Sequence, residues 1–529
     1  MKKHYLPVIL LTAMLASCSF LDHASSSQNS TNGSAGSNGS NESAQSGGSV
    51  ISDGLSLTAV SSAATYGDLY KFANLYGDED PLPSTGKESR LLVLPVNVAG
   101  SSTNYPYWTA KMLSDMNKCI FGAANETGWQ SLKSYYATSS YGALNIVGKV
   151  ADAYTGTATI SDIQTNGPDT LINAAIANYE ANNTDYLDYD ADKDGYLDGV
   201  MVIYNVKDYS VVSSLGDNFW AFTSNLDNKA NTIKPTGNKY FWASYDFMYE
   251  QYGTTQVDAH TFVHETGHMM GLDDYYSYDS QNNLTDIAPM GGIDMMDANI
   301  IDHDAFSKFA LGWEAAQYVT GDKGSVTLTL KPAATTKDQC VLLPTSKGWN
   351  GTAFDEYLML EYYTPTGLNQ RDSEEAYDNG ARGFTQNGIR IYHVDARLFD
   401  ISSVTQDSEG YVSGFKGSYV TRSGYDTVKG STAQYSVYPA HSNSVSYSYV
   451  NTKYRLIQEL DSSSSHLNFA TSSHLATNAT LFQKGESFSF ASYKGEFAGS
   501  TMNNGGTMNY KVAVNDCTND GASITISIA

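Results

Sequence analysis

The sequence predicts an α+β (α/β-like) domain followed by a β-sandwich-type C-terminal region. Three observations carry this. Apolar runs of strand length alternate with helical patterns up to about residue 318, later runs alternate apolar and polar residues with a period of two, and clusters of Gly, Asn, Ser and Asp separate those later runs. A chain of 529 residues leaves room for two or more domains.

Taken in chain order, the first element is an export signal. Lys2 and Lys3 precede an apolar run over 5–16, and Leu15-Ala16-Ser17-Cys18 reads as a lipobox-like cleavage site. The run is about a dozen residues, short of the roughly 20 that span a bilayer, so residues 1–17 are expected to be a lipoprotein signal peptide. Cys18 then becomes the lipidated first residue, and its several acyl chains make a stable anchor. Residues 18–50 read as a disordered tether, because 25–49 are almost wholly Ser, Asn, Gly, Gln and Ala, a composition with little to bury. The expected location is the extracellular face of a bacterial cell, anchored to a membrane through Cys18. Residues 51–85 form a short N-terminal segment.

The run 89–98 reads as a buried strand that opens a domain over 86–318. Helical spacing follows at Met112, Met116 and Ile120 within 109–121, at Leu132 and Tyr136 within 129–136, and at Leu171, Ala175 and Ile176 within 170–180. Strands are predicted at 143–150 and 199–204. From 319 to 529 the alternation of Val326, Leu328 and Leu330, of Ile389 and Ile391, and of Ile524, Ile526 and Ile528 predicts one or more β-rich accessory domains.

A formal net charge of −25, from 56 acidic and 31 basic residues, disfavours a polyanionic partner, so no nucleic-acid ligand is expected. Beyond Cys18 there are only Cys119, Cys340 and Cys517, too few for a disulfide framework. A bridge between Cys340 and Cys517 stays open. A monomer is expected.

The segment 257–271 predicts a helix with Asp258 as its N-cap, carrying His264, Glu265 and His268. Histidines at i and i+4 point the same way and can bind one zinc ion, while Glu265 can reach a water there as general base. A third ligand on a second helix would be glutamate, but no glutamate occurs between His268 and Trp313. Instead Gly271, suited to the turn that ends a helix, is followed by Asp274. The pattern His-Glu-x-x-His-x-x-Gly-x-x-Asp is that of metzincins, with aspartate as third ligand and Asp273 as the rival one residue off register. Met296 is expected as the methionine beneath the metal, with Met295 as the alternative.

These residues resemble the immune inhibitor A family of secreted bacterial metallopeptidases. The similarity is carried by 131–136 and 140–144, by the zinc motif His264 to Asp274 with Tyr276, by 294–313, and more loosely by Glu361, 388–395 and 482–490. It departs at Ile293, where a tryptophan is expected, and in the shortness of the region before residue 85 for a propeptide. The resemblance implies a zinc endopeptidase with a metzincin-type catalytic domain, β-rich accessory domains, bound calcium, and protein or peptide substrates.

A second metal loop is predicted from Asp188, Asp190, Asp192, Asp194, Gly195 and Asp198, since alternate carboxylates around a glycine turn can wrap calcium. Met201 stands where an EF-hand has its glutamate, so the site must be completed from elsewhere. His260, His303 and His393 are read as structural. The oxyanion is expected to lean on the zinc ion, with room for help from a nearby tyrosine that 39 tyrosines leave unchosen. The alternative function is a surface adhesion or binding lipoprotein that uses the β-rich half and carries a vestigial protease domain.

Overall fold

The structure is a computed structural model that describes residues 50–72, 79–277, 288–378, 380–400, 418–419, 437–444, 454–463, 475–493 and 501–528. The signal peptide, Cys18 and the tether up to residue 49 lie outside the described residues. Among the described residues, no helix is long and apolar enough to cross a membrane.

The chain begins with β1 (Ile51–Asp53), β2 (Ser56–Val60) and α1 (Tyr66–Phe72) and then enters a mixed α/β layer structure. Its strands are β3 (Gly86–Ala99), β4 (Leu144–Val150), β5 (Tyr154–Thr159), β6 (Gly199–Tyr204), β7 (Phe222–Asn225) and β8 (Lys239–Ser244). They run β4-β3-β6-β8-β7, with β5 also on β3, and every pairing is parallel except that of β7 on β8. The central β6 is apolar and buried at every position, as a parallel strand covered on both faces must be. Its side chains alternate between two cores. Met201 and Ile203 face α2 (Ala110–Phe121), α3 (Leu132–Ser139) and α6 (His260–Met269), while Val200, Val202 and Tyr204 face α5 (Asp169–Asn182).

Caps explain where these helices start. Thr109 accepts a hydrogen bond from the Met112 N–H, and Ser131 accepts one from Ser134, so α3 begins three residues later than its apolar spacing predicts. The expected Asp258 cap is corrected: Ala259 occupies the N-cap of α6, and the Asp258 carboxylate instead holds the His260 N–H and ring.

Beyond the short helices α7 (Met295–Ala298) and α8 (Ala305–Ala310) the chain turns to strands β9 (Ala316–Thr320), β10 (Ser325–Leu330), β11 (Cys340–Pro344), β12 (Glu356–Tyr363), then α9 (Asn369–Glu374), and β13 (Gly388–Asp395). Short strands β14 (Leu398–Asp400), β15 (Ser418–Tyr419), β16 (Val437–Pro439) and β17 (Ile457–Glu459) precede β18 (Ser487–Ser489), β19 (Tyr510–Thr518) and β20 (Gly521–Ile528). One sheet is antiparallel, β1-β10-β20-β19-β18, and a second runs β17-β13-β12-β11-β9-β2 with a single parallel pair, β9 and β11. A shared apolar core, including Val326, Leu343, Leu358, Val512 and Ile526, lies between them.

The N-terminal segment is therefore part of the C-terminal region, because β1 and β2 supply an edge strand to each of its sheets. The two regions also share packing: Leu342, Met359 and Tyr392 of the second sheet belong to the same core as Met269, Met296 and Trp313. Cys119, Cys340 and Cys517 are free thiols, so the Cys340–Cys517 bridge does not form.

Candidate metal centre

Helix α6 crosses the parallel sheet with Phe262 and Val263 buried beneath it, which turns His264 and His268 to the opposite side. Each imidazole donates its Nδ1–H to a carbonyl 2.8 Å away, His264 to Met295 and His268 to Leu272. That commits both Nδ1 atoms and brings the two Nε2 atoms, the ones free to ligate a metal, to 3.1 Å from each other. Helix α6 ends at Met270, and Gly271 takes a φ of +104°, open to glycine, so the chain can double back. Leu272 N–H returns to the Gly267 carbonyl, and Asp274 Oδ1 arrives 2.9 Å from His264 Nε2 and 3.2 Å from His268 Nε2.

Three donor atoms thus form a triangle with sides of 2.9, 3.1 and 3.2 Å. Ligands at about 2.0–2.1 Å on a tetrahedral zinc stand about 3.3 Å apart, so this donor set fits such an ion with little movement. Burial opposes ionisation of Asp274, but His268 and His264 overcome it and hold its carboxyl well below the usual range. Burial likewise lowers His268, and Asp274 outweighs it, pushing the imidazole up to about 10. The same negative field would draw a cation.

Glu265 is 7% exposed, and burial raises its pKa against the lowering effect of both histidines. Thr223 on β7 donates to the Glu265 backbone carbonyl at 3.0 Å and to its Oε2 at 3.3 Å, tying the edge strand to the carboxylate. Asp273 is turned away from the histidines. Its Oδ1 accepts from Asp274 N–H and Ser444, and its Oδ2 from Ser442. Of the tyrosines, Tyr276 is the one whose hydroxyl is raised first by burial and then by Asp274 and Glu265.

Met296 packs against the helix beside His268: a Cβ placed on Gly267 would sit 2.7 Å from its sulfur, so any larger residue there would displace the Met296 side chain. Met295 contributes only its carbonyl to His264. The turn before α7 is held by Arg390, which is 1% exposed and donates to the Ile293 carbonyl at 2.8 Å while pairing with Glu459 at 2.7 Å. This tie from β13 to the turn before α7 is not visible in the sequence, because Arg390 and Ile293 stand 97 positions apart and no local spacing relates them.

In the acidic loop, Asp190, Asp192 and Asp194 each offer a carboxylate oxygen within 4.8 Å of the others. Asp190 is 7% exposed, and its Oδ1 has no hydrogen-bond partner among the described residues. Oxygens so spaced suit a calcium ion bound at about 2.3–2.6 Å. Two of the expected ligands are not in this group. Both Asp198 oxygens accept backbone N–H bonds, from Arg90 and Ala191, and Asp188 is exposed on a short 3-10 helix. Asp80, which the sequence did not single out, joins the cluster: burial first, then Asp194 and Asp192, push its carboxyl up to about 9. Only the fold brings this residue from the N-terminal segment to the loop.

His260 stacks on Trp129 at 3.9 Å and lies between Asp258 and Asp372, at 2.8 and 3.2 Å. Burial lowers its pKa, but the two carboxylates prevail and push it up to about 9. His393 bonds Glu356 at 2.9 Å. His303 sits among Tyr135, Tyr136 and Trp313, and burial holds it neutral. No known family matches the chain, and no curated protein matches it either.

Proposed function

We propose that this chain is a zinc-dependent endopeptidase of metzincin type, with a β-sandwich-type accessory region, resembling the immune inhibitor A family. The observation that carries the reading is the triangle of His264 Nε2, His268 Nε2 and Asp274 Oδ1, with both Nδ1 protons already committed to carbonyls. When bound, zinc supplies Lewis-acid polarisation of a peptide carbonyl and a more acidic water. Glu265 takes a proton from the attacking water and passes it to the leaving amide nitrogen, so that a C–O bond forms as the C–N bond breaks. Its raised pKa suits both halves of that transfer. Strand β7 is the sheet's outer strand, antiparallel and only half-buried, and among the described residues nothing pairs with its far edge. An extended peptide adding to that edge would run beside Glu265, which Thr223 holds from the same strand.

The acidic loop is assigned to a structural calcium ion, and Cys18 to lipid anchorage at the outer face of a bacterial cell. Substrates are proteins or peptides; the charge of −25 disfavours nucleic acid. The test is casein hydrolysis alongside zinc analysis. Chelator-sensitive cleavage with one zinc per chain supports the proposal. No hydrolysis by zinc-loaded protein would refute it and leave the surface-binding lipoprotein as the better reading.

A further inference from the structure

The turn that carries Asp274 is held from outside the α/β region. Ser442 and Ser444 lie 169 and 171 positions along the chain from Asp273, yet both donate to its carboxylate. Between them Asn443 donates its Nδ2 to the Tyr275 carbonyl at 2.9 Å and to the Ile457 carbonyl at 2.8 Å, and accepts from Leu456 N–H. All three residues are buried, Asn443 completely. The Asp273 Oδ1 that Ser444 holds at 2.8 Å also receives the Asp274 N–H at 2.9 Å. Ser442, Ser444 and the third ligand's own backbone therefore share one carboxylate. Tyr275 closes the frame from the other side, its N–H on the Met296 carbonyl and its hydroxyl on Ser307.

Resting on the metal reading above, we infer that Ser442 and Ser444 are positioning residues for the zinc ligand Asp274, so that the C-terminal region completes the metal centre. The physical reason is the short reach of the aspartate side chain: its oxygen can sit about 3 Å from two imidazoles only if its Cα is fixed. Backbone bonds hold the two ends of the turn, Leu272 N–H on the Gly267 carbonyl and Tyr275 N–H on the Met296 carbonyl. Asp273 adds a restraint at Asp274 N–H itself, and its carboxylate is held in place by the two hydroxyls. Without them, a buried carboxylate short of donors would turn elsewhere and take the Asp274 N–H with it.

The experiment uses the full chain. Zinc-free wild type, Ser442→Ala/Ser444→Ala and Ser442→Thr are titrated with zinc against a chromophoric chelator, and the melting temperature of each zinc-free protein is recorded. The double variant should bind zinc roughly 10- to 100-fold more weakly, the scale for losing an outer-shell partner, while Ser442→Thr stays within about threefold of wild type. An unchanged zinc-free melting temperature separates positioning from a general loss of stability. If the double variant melts early, Ser442→Ala and Ser444→Ala are titrated singly, and each should weaken binding in the same direction. Zinc affinity within about threefold of wild type in these folded variants overturns the inference. Failure of the wild type itself to bind zinc would overturn the metal reading instead.

Discussion

Replacing Asp274 by Ala removes one corner of a donor triangle whose sides are 2.9, 3.1 and 3.2 Å and leaves two imidazoles facing each other. Zinc sites in small domains bind with about 10–16 kcal/mol shared among four ligands, so one ligand accounts for roughly 2.5–4 kcal/mol, or about 60- to 700-fold in Kd. Asp274→Ala should accordingly lose zinc on dialysis against a chelator that wild type resists, and its hydrolysis of casein should fall with the metal content. Glu265→Gln should fail differently. It keeps all three donors and the size of the side chain, so zinc stays near one per chain while turnover falls roughly 100-fold or more, the scale of losing a general base. Elemental analysis beside initial rates separates the two. The reasoning is refuted if Asp274→Ala is fully loaded and active while Asp273→Ala is empty, because Asp273 points at Ser442 and Ser444.

Three further outcomes are expected. Asp190→Ala with Asp194→Ala should lower the melting temperature in calcium but change little in excess chelator; at calcium 100-fold above Kd the lost stabilisation is about 2.7 kcal/mol, read by calorimetry in both conditions. His260 has a folded pKa of about 9 against the ordinary 6.5, so its contribution to stability is complete below pH 6.5 and is lost as the pH rises through 9. Urea titrations across that window should show stability declining with pH, and the decline should be shallower in His260→Gln. Cys18→Ala should move the protein from the membrane fraction to the soluble one on cell fractionation, since the acyl chains are the expected anchor.

The α/β region was legible in the sequence wherever one periodicity dominated. The runs at 89–98, 143–150 and 199–204 became β3, β4 and β6: β6 and the 91–98 stretch of β3 are buried throughout, as apolar strands covered on both faces must be, whereas the edge strand β4 is only partly buried. His264, Glu265, His268 and Asp274 were legible for a related reason: helix geometry fixes the spacing of the first three, and Gly271 marks where the chain can reverse. Each is a relation between residues a few positions apart, and local backbone geometry transmits it without reference to the rest of the chain.

Relations across long separations were decided only by the tertiary structure. Asp258 sits where a cap belongs, but its carboxylate is drawn instead to the imidazolium of His260, whose second partner, Asp372, arrives from α9. Asp198 fits the acidic spacing as well as Asp190 does, yet the approach of β3 ties its carboxylate to the Arg90 N–H, and it lies outside the group formed by Asp190, Asp192 and Asp194. Asp80 has no spacing relation to the loop it joins, and Ser442 none to Asp273. Polar groups removed from water must find partners wherever packing brings chain segments together. Sequence thus determined the chemistry and local geometry of the candidate metal site, whereas packing between distant segments decided what surrounds and holds it.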